Sequence, residues 1–328
     1  MSMISPEISV IIPAYNAQDY LAECLDSIIS QTFDDWELII CDDGSSDKTG
    51  EICDRYAEED SRIKVIHSIN RGVSASRNAG IDIAAGRYLS FVDADDSLES
   101  DYLKELISCA GKYDADIIQC SFSFMDINGE KRSDPYAVDS VLRGSDDIIN
   151  AFFRGPVGDI RVSVWSKLFR RERFRDIRFD TGLRVYEDAY YVYECCRKAE
   201  TVCCFSSALY NYRQHEGSAM NSRLPEIYPD YFTVFDKQRN DYCDERNIRK
   251  NVNRREVENA FWLIRIMITE GKDGEIWNIR KAVLKTAGFV YFSSLPILLK
   301  FKMTGLAVMP HIYFAMLRKR ILTADEKI

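Results

Sequence analysis

Three carboxylates directly follow one short apolar segment of the sequence. Asp93, Asp95 and Asp96 come after Tyr88–Val92, whose apolar run predicts a buried strand. Carboxylates this close together repel one another, and a divalent cation between them removes the repulsion. Their oxygens suit hard ions such as Mg²⁺ or Mn²⁺, which commonly also bind substrate phosphates. The alternative is a solvated acidic turn, with Asp96 or Ser97 as the N-cap of a following helix.

A second acidic pair, Asp42 and Asp43, follows the apolar segment Trp36–Cys41. A buried carboxylate at the end of a strand can accept a hydrogen bond from the N–H group of a nucleotide base. The alternative is a structural turn, in which Gly44 adopts a positive φ and the acids cap the next helix.

Strand and helix patterns alternate over the first 122 residues. β-branched and apolar runs predict strands at Ile8–Ile12, Trp36–Cys41, Ile63–Ile66, Tyr88–Val92 and Ile117–Phe122. Apolar residues at helical spacing predict helices between them, the first with Asn16 as its N-cap. This alternation favours an α/β fold with a mostly parallel sheet flanked by helices.

In such a sheet, ligands bind at the carboxyl ends of the strands. We therefore expect the loops that follow the first four strands to lie along one edge of the sheet. The polar residues in these loops are Tyr15, Asn16, Asp42, Asp43, Asn70, Asp93, Asp95 and Asp96.

The remainder of the chain has a different pattern. Residues 123–220 contain short, irregular elements, with a hairpin turn predicted at Asp126–Gly129, and residues 221–328 are mostly helical. We therefore predict a first domain at 1–220, with halves 1–122 and 123–220, and a C-terminal helical region at 221–328.

Four motifs follow one another along the first 96 residues: Val10–Asn16 (VIIPAYN), Cys41–Asp47 (CDDGSSD), Gly72–Gly80 (GVSASRNAG) and Phe91–Asp96 (FVDADD). In order and spacing they resemble the motifs of the family 2 glycosyltransferases, which have the GT-A fold. The resemblance extends over about residues 5–220. It implies a Rossmann-like sheet and transfer of a sugar from a nucleotide-diphosphate donor.

The resemblance also implies roles for individual nucleotide-side residues. Pro13 and Tyr15 would pack against the base, Asp43 would accept a hydrogen bond from it, and Arg77 would lie near the nucleotide. Uracil is the usual base in this family, so a UDP-sugar donor is implied.

Within the fourth motif, Asp93, Ala94 and Asp95 match the family's DxD motif. Asp93 would lie near the ribose, and Asp95 would bind the divalent metal, Mn²⁺ or Mg²⁺, that bridges the two phosphates. His215 would be an extra metal ligand, as in some members of the family. A structural or solvated histidine is the alternative.

On the acceptor side, Tyr186–Tyr191 (YEDAYY) resembles the family's Glu-Asp motif at the start of a helix. Asp188 would be the general base, and Glu187 would hold the acceptor. Without the resemblance, two acids in the first turn of a helix are explained by the helix dipole alone. Tyr186 departs from the family pattern, in which glycine is common.

Trp165 lies in the segment Trp165–Leu168, which resembles the acceptor-side lining of the family. Its indole would stack on a sugar ring of the acceptor, and a place in the buried core is the alternative.

The net charge of −9 is unevenly distributed along the chain. Arg280–Arg320 contains eight basic residues and no acidic one, which leaves residues 1–279 with a charge of −16. An acidic body argues against a nucleic-acid partner. The basic, apolar tail favours either an anionic membrane surface as partner of residues 280–320 or a helical cap or homodimer surface. Its uncharged runs, Thr286–Leu299 and Met303–Leu317, are too short to cross a bilayer.

Apolar residues at 46% and charged residues at 29% are ordinary globular usage and exclude a disordered chain. Ten cysteines without a zinc-type framework or a signal peptide predict reduced thiols in the cytosol. We therefore expect a cytoplasmic protein, or one peripheral on the inner face of the plasma membrane.

These features predict an inverting glycosyltransferase of cell-surface or exopolysaccharide biosynthesis. Its acceptor would be a glycan or a lipid-linked glycan. Two alternatives remain open. One is a catalytically inactive GT-A-like module that binds a nucleotide or glycan, and the other is a nucleotidyltransferase. The second is disfavoured because no glycine-rich phosphate loop accompanies the first strand.

Overall fold

The computed structural model describes residues 5–154, 159–215, 229–242, 245–269, 271–286 and 297–325. The chain forms two compact units, Met1–Ser218 and Ala219–Ile328. Strands are found in the first unit, and the described part of the second is helical.

The strands of the first unit form one mixed sheet. They are β1 (Ile8–Ala14), β2 (Trp36–Asp42), β3 (Ile63–His67), β4 (Tyr88–Phe91), β5 (Ser97–Leu98), β6 (Ile117–Met125), β7 (Lys131–Ser133), β8 (Ser140–Arg143), β9 (Lys167–Arg170) and β10 (Thr201–Arg213). Their order across the sheet is β3-β2-β1-β4-β9-β6-β10-β5, with β7 paired to β6 and β8 paired to β10.

The helices of the first unit flank this sheet. They are α1 (Leu21–Ile29), α2 (Thr49–Glu59), α3 (Val73–Ile83), α4 (Tyr102–Tyr113), α5 (Ser145–Phe153), α6 (Arg171–Phe174) and α7 (Glu187–Lys198). The second unit contains α8 (Pro229–Asp241), α9 (Arg246–Thr269), α10 (Asp273–Thr286), α11 (Ile297–Val308) and α12 (Pro310–Asp325). The predicted α/β fold with a C-terminal helical region is therefore confirmed.

The first four strands run parallel, as their sequences predict. β1 pairs with β2 and with β4, and β2 pairs with β3, all in parallel register. Ala14 lies beside Asp42, and Asp42 lies beside His67, so these strands end at the same edge of the sheet. The loops that carry the predicted polar residues therefore leave from one edge.

The sheet becomes mixed in its second half. β9 lies between β4 and β6 and runs antiparallel to both, and β5 runs antiparallel to β10. β6 and β10, however, pair in parallel. No helical connection in the sequence signals the short antiparallel pairings. The predicted turn at Asp126–Gly129 does join an antiparallel pair, β6 and β7, and Gly129 has a φ of +81° there.

Gly80 allows α3 to pack closely against β1. A β-carbon at this position would lie 2.5 Å from Cγ2 of Ile11, a buried side chain of β1. Arg77 is one turn earlier on the same helix, so the close approach of helix and strand also fixes the position of its guanidinium group.

One local prediction differs from the structure. α1 begins at Leu21, and Asn16 is not its N-cap. Asn16 instead has a φ of +48°, and its side-chain oxygen accepts a hydrogen bond from the Ser46 N–H group at 2.9 Å. The amide side chain therefore connects the loops after β1 and β2.

The cysteines are mostly, but not all, free. Cys109 on α4 and Cys203 on β10 are paired, with their Cα atoms 7.2 Å apart. Seven other described cysteines are free and buried: Cys24, Cys41, Cys53, Cys120, Cys195, Cys196 and Cys204. The reduced state of the thiols stays a prediction.

The second unit has its own buried polar pair. Arg239 on α8 donates a hydrogen bond to the Glu256 carboxylate of α9 at 2.7 Å, and the glutamate side chain is fully buried. Among the described residues, no helix combines the length and apolar character needed to cross a membrane. Much of the uncharged run Thr286–Leu299 lies outside the described residues.

Candidate active site

A single buried arginine joins two acidic motifs that are distant from each other in the sequence. Arg77 is 3% exposed, and its Nη2 donates to Asp93 at 2.9 Å. Its Nη1 donates to Asp188 at 2.5 Å and to Glu187 at 3.1 Å. We call these four residues the carboxylate cluster. The structure therefore brings the DxD motif and the Glu-Asp motif onto one guanidinium group.

Two stacked aromatic rings pack near this arginine. The Cζ atom of Arg77 lies 5.2 Å from the ring centroid of Phe179, which stacks on Tyr191 of α7 at 4.1 Å. Low-dielectric surroundings strengthen the attraction between the guanidinium and its carboxylates. They also make any unpaired charge at this site costly.

Burial and mutual repulsion set the protonation of the cluster. Burial raises the pKa of Asp188 to about 6 against the opposing effect of Arg77, and the Glu187 charge adds to the rise. Burial likewise raises the pKa of Asp93 to about 6. For Arg77, burial acts to lower the pKa, but the carboxylates of Asp188, Asp93 and Glu187 raise it above its ordinary value.

Asp188 is oriented through both of its oxygens. Oδ1 accepts from Arg77, and Oδ2 accepts a long hydrogen bond of 3.3 Å from the Val164 N–H group. Glu187 and Asp188 form the first turn of α7, so the helix dipole also stabilises their charges.

The residue before this pair, Tyr186, lies in the left-handed region with a φ of +65°. Glycine occupies that region without steric cost, which is the physical reason for a glycine at this position. A tyrosine in this region has a strained backbone conformation, and the helix still begins at Glu187.

We define Asp93–Asp96 as the DxD loop. Asp96, its last residue, is buried and has structural contacts. It is 1% exposed and accepts hydrogen bonds from the Tyr210 hydroxyl at 2.5 Å and the Arg213 N–H group at 2.8 Å. Burial raises the pKa of Asp96 well above its ordinary value, and the Asp93 and Asp95 charges add to the effect. The DxD loop is followed by β5 rather than by a helix, so the helix-cap alternative is wrong.

Asp95 and His215 lie together at the other side of this loop. Nε2 of His215 is 2.8 Å from Oδ2 of Asp95, although 120 residues separate them. Arg213 holds the loop from behind by donating to the Asp95 carbonyl oxygen at 2.9 Å. Its Nη2 pairs with Glu23 at 2.6 Å.

A divalent cation at Asp95 and His215, completed by a substrate, stays a prediction. Among the residues that the structure describes, no three His, Cys, Asp or Glu side chains form a complete metal site. A carboxylate oxygen and an imidazole nitrogen in contact are two of the ligands that Mn²⁺ accepts. Mg²⁺ and Mn²⁺ in phosphate-binding sites commonly take their remaining ligands from substrate phosphates and water.

The nucleotide-side residues of the first two motifs lie at the predicted edge but apart from the carboxylate cluster. Tyr15 is 52% exposed beyond the end of β1, and Pro13 is half-buried within that strand. Asp43 is buried and accepts hydrogen bonds from the N–H groups of Arg71 at 2.9 Å and Gly72 at 2.7 Å. Oδ1 also accepts a long hydrogen bond of 3.5 Å from the Ser68 hydroxyl, and the reading of a base by Asp43 stays a prediction.

Trp165 is packed against two tyrosines of β10. Its indole stacks on Tyr210 at 4.8 Å and on Tyr212 at 5.3 Å between ring centroids. Phe122 meets it edge-on at 4.9 Å. The ring therefore has a structural role, and its contact with an acceptor sugar stays a prediction.

Three groups at this site were not singled out by sequence reasoning: the Tyr210 hydroxyl, the Val164 N–H group and the buried amine of Lys167. A backbone donor has no sequence signature. The alternation of Tyr210 and Tyr212 along one strand is a usable signal, because it places both rings on one face of the sheet.

Comparison with known proteins identifies the family of this chain. The family model described as "Glycosyl transferase family 2" matches residues 9–183. Glycosyltransferase GlyA of Streptococcus pneumoniae is 34% identical over 229 residues, which are 66% of this chain and 32% of GlyA. The match thus spans about a third of that relative's length. The uncharacterized glycosyltransferase EpsJ of Bacillus subtilis is 34% identical over 233 residues, 68% of each chain.

A solved structure shows the same fold at low sequence identity. Residues 1–349 of S. aureus TarS, in complex with UDP-GlcNAc, match with a TM-score of 0.75 at 20% identity. The match covers 97% of this chain and 92% of the TarS chain. Because the family model covers more than half of the chain and EpsJ is similar over two thirds of it, the protein belongs to glycosyl transferase family 2.

Proposed function

We propose that the protein is an inverting glycosyltransferase that moves a sugar from a nucleotide-diphosphate donor to an acceptor hydroxyl. The observation that carries this proposal is the shared guanidinium of Arg77, which holds Asp93 of the DxD loop beside Asp188. A carboxylate with a raised pKa thus lies next to the loop expected to bind the donor. The family membership and the fold shared with a UDP-GlcNAc-binding protein support a UDP-sugar as donor.

Asp188 would act as the general base. The acceptor oxygen forms a bond to the anomeric carbon while the bond from that carbon to the diphosphate oxygen breaks. The electron pair of the broken bond leaves with the nucleoside diphosphate, and the hydroxyl proton passes to Oδ2 of Asp188. A single displacement from the face opposite the leaving group inverts the configuration at that carbon.

The neighbours of Asp188 prepare it for this step. Arg77 and the Val164 N–H group fix the carboxylate in one orientation, which reduces the entropy lost on reaching the transition state. Glu187, on the same helical turn, would accept a hydrogen bond from a second hydroxyl of the acceptor. We propose that residues 1–122 bind the donor and residues 123–220 the acceptor.

Asp95 and His215 would hold a divalent cation, Mn²⁺ or Mg²⁺, with the diphosphate. When bound, such an ion stabilises the negative charge that develops on the leaving diphosphate. Asp93 lies on the Arg77 side of the same loop, which suits a contact with the ribose rather than with the ion.

Release of the nucleoside diphosphate tests the proposed function. The purified protein is first screened for thermal stabilisation by UDP- and GDP-sugars with Mn²⁺. The stabilising donors are then assayed for release of UDP or GDP with and without glycan acceptors. Metal-dependent release supports the proposal. Donor binding without release, with water or with any acceptor of a polysaccharide panel, would favour a non-catalytic binding module.

Replacing each of the two proposed metal ligands tests their role in metal binding. We expect Asp95→Asn to lower kcat/KM roughly 100-fold or more, because a metal at the leaving group is worth several kcal/mol. His215→Gln should weaken Mn²⁺ binding to the UDP complex by about tenfold, measured by calorimetry. His311→Gln, in the second unit, is the matched control. Unchanged Mn²⁺ affinity in His215→Gln would remove this histidine from the metal site.

We also propose that the C-terminal helices bind an anionic membrane surface, which suits a lipid-linked acceptor. Among the described residues of these helices and the turn between them, six apolar side chains are more than half exposed to solvent: Leu298, Phe301 and Val308 on α11, Met309 between the helices, and Ile312 and Met316 on α12. On α11 they lie opposite the buried Leu299, Met303 and Leu306, so that helix is apolar on two faces. An apolar face without cover marks an interaction surface.

The surrounding charge identifies the kind of partner. Lys300 and Lys302 lie on α11, Arg318 and Lys319 lie on α12, and neither helix carries an acidic residue before Asp325. Exposed apolar side chains beside basic ones match the headgroup and acyl boundary of an anionic leaflet. A second copy of the chain would place these like charges against each other, which disfavours a homodimer through this face.

Vesicle sedimentation tests the membrane proposal. We expect the protein to sediment with phosphatidylglycerol-containing vesicles at low salt, less so at 0.5 M NaCl and not with neutral vesicles, because each base contributes about 1 kcal/mol near the surface. Phe301→Glu/Met316→Glu should abolish sedimentation. Ile127→Glu replaces an exposed apolar residue of the β6–β7 turn and serves as control. The proposal would be contradicted if the wild-type protein did not bind vesicles but formed a dimer that the double variant could not form.

A further inference from the structure

Lys167, the first residue of β9, is a fully buried cation that the proposed reaction does not use. Its exposed fraction is 0%. Its Nζ donates hydrogen bonds to the carbonyl oxygens of Ser163 at 2.6 Å and Trp165 at 3.4 Å. Burial lowers the pKa of Lys167 to about 8, so the amine is still mostly charged at neutral pH. Lysine is rarely buried completely, because its desolvation costs free energy that its contacts must offset.

The segment that this amine holds touches the proposed base. Val164 lies between the two carbonyl groups bound by Lys167, and its N–H group donates to Oδ2 of Asp188. The Ser163 carbonyl and the Val164 N–H group belong to the same planar peptide unit, so fixing this carbonyl also fixes the direction of the N–H bond.

The same segment also touches the DxD loop. Trp165 stacks on Tyr210, whose hydroxyl donates to Asp96. That hydroxyl also accepts a hydrogen bond from the Asp93 N–H group at 3.2 Å. One short segment, Ser163–Trp165, thus has contacts that lead to both sides of the candidate active site.

The residue that follows this segment has an unusual backbone conformation, so the surrounding contacts must hold it in place. Ser166, between Trp165 and Lys167, has a φ of +60°, an unfavourable region for a residue with a β-carbon. Such a conformation persists only where surrounding contacts determine it. The Lys167 amine is one of those contacts, and the Ser166 carbonyl, which accepts from the Cys120 N–H group at 3.1 Å, is another.

We propose that Lys167 is a positioning residue that holds Ser163–Trp165 so that the Val164 N–H group orients the Asp188 carboxylate. This proposal rests on the proposed role of Asp188 as general base. The lysine touches neither donor nor acceptor in this scheme, so its effect on the reaction is transmitted through Val164.

A double-mutant cycle tests this role. Lys167→Met keeps a side chain of similar length without the amine, and we expect kcat to fall about 10- to 100-fold, the usual effect of misplacing a catalytic group by about 1 Å. The Kd for UDP with Mn²⁺ should change less than about threefold, because Arg77 and His215 still hold the DxD loop. In an Asp188→Asn background, Lys167→Met should lower the residual kcat by less than about threefold, since residues acting as one unit are not additive.

The controls separate positioning from general damage. Cys196→Ala removes another fully buried side chain close to the amine without a carbonyl contact, and should keep kcat within about threefold of the wild type. Should Lys167→Met fail to fold, as judged by circular dichroism, the cycle is run with Lys167→Gln, whose amide keeps N–H donors and should give a smaller loss. Two results would overturn the proposal. One is that Lys167→Met lowers kcat as much in the Asp188→Asn background as in the wild type, and the other is that Lys167→Met leaves the wild-type kcat unchanged. Full turnover by Asp188→Asn alone would instead disprove the proposed base.

Discussion

Asp188→Asn should lower kcat about 10²- to 10⁴-fold, the usual contribution of a positioned general base. The asparagine still accepts a hydrogen bond from Arg77, but it cannot take the acceptor proton. Affinity for UDP with Mn²⁺ should stay within about threefold of the wild type, because Asp95 and His215 are unchanged. The measurement is steady-state release of the nucleoside diphosphate, together with calorimetric binding of UDP.

The pH dependence provides a second signature of the same residue. Burial raises the pKa of Asp188 to about 6, and the base acts only when deprotonated. The wild-type kcat should therefore rise with pH through about 6 and reach a plateau above it. The residual activity of Asp188→Asn should lack this limb, since asparagine does not titrate.

Glu187→Gln is the matched control for this prediction. Glu187 lies beside Asp188 and contacts the same guanidinium group, so its replacement disturbs the cluster to a similar extent. We expect a higher KM for the acceptor and a smaller fall in kcat. A loss of kcat in Glu187→Gln that equals or exceeds the loss in Asp188→Asn would transfer the role of base to Glu187.

Arg77→Met should have the largest effect on folding among the substitutions considered. Removing one partner of a buried ion pair costs about 3 to 5 kcal/mol, because the remaining charge is left without compensation. Here the guanidinium compensates three carboxylates at once. We expect chemical denaturation to show a loss of this size in the free energy of unfolding, and turnover to be abolished.

The loss should depend on pH in a defined direction. Without Arg77, the pKa values of Asp93 and Asp188 rise above about 6, since that cation acts to lower both. A carboxyl group whose pKa is higher in the folded than in the unfolded state destabilises the fold as pH rises between the two values. Arg77→Met should therefore be less destabilised at pH 5 than at pH 8.

Arg87→Met is the control, because Arg87 is mostly exposed and pairs with Glu7. Exposed pairs of this kind contribute about 0 to 1 kcal/mol. A loss in Arg77→Met no larger than in Arg87→Met, or one independent of pH, would contradict the electrostatic account of the cluster.

The order of the βα units and the edge at which ligands bind could be predicted from the sequence. Apolar runs at Ile8–Ile12 and Trp36–Cys41 specify buried strands, and parallel pairing then places their following loops together. Such patterns are formed by residues that are adjacent in the chain, so they can be recognised from the sequence alone. β5 and β9 are only 2 and 4 residues long, and their antiparallel pairing depends on distant strands.

For the candidate site, the sequence determined which residue types are present and which motifs carry them: the DxD loop, Arg77, and the pair Glu187 and Asp188. It did not determine that Arg77 contacts Glu187, 110 residues away in the sequence. Nor did it determine that Asp96 contacts Tyr210 while Asp95 contacts His215. Those partnerships are decided by the tertiary structure. The free energy of a buried charge depends on what surrounds it in space, and separation along the chain carries no information about that.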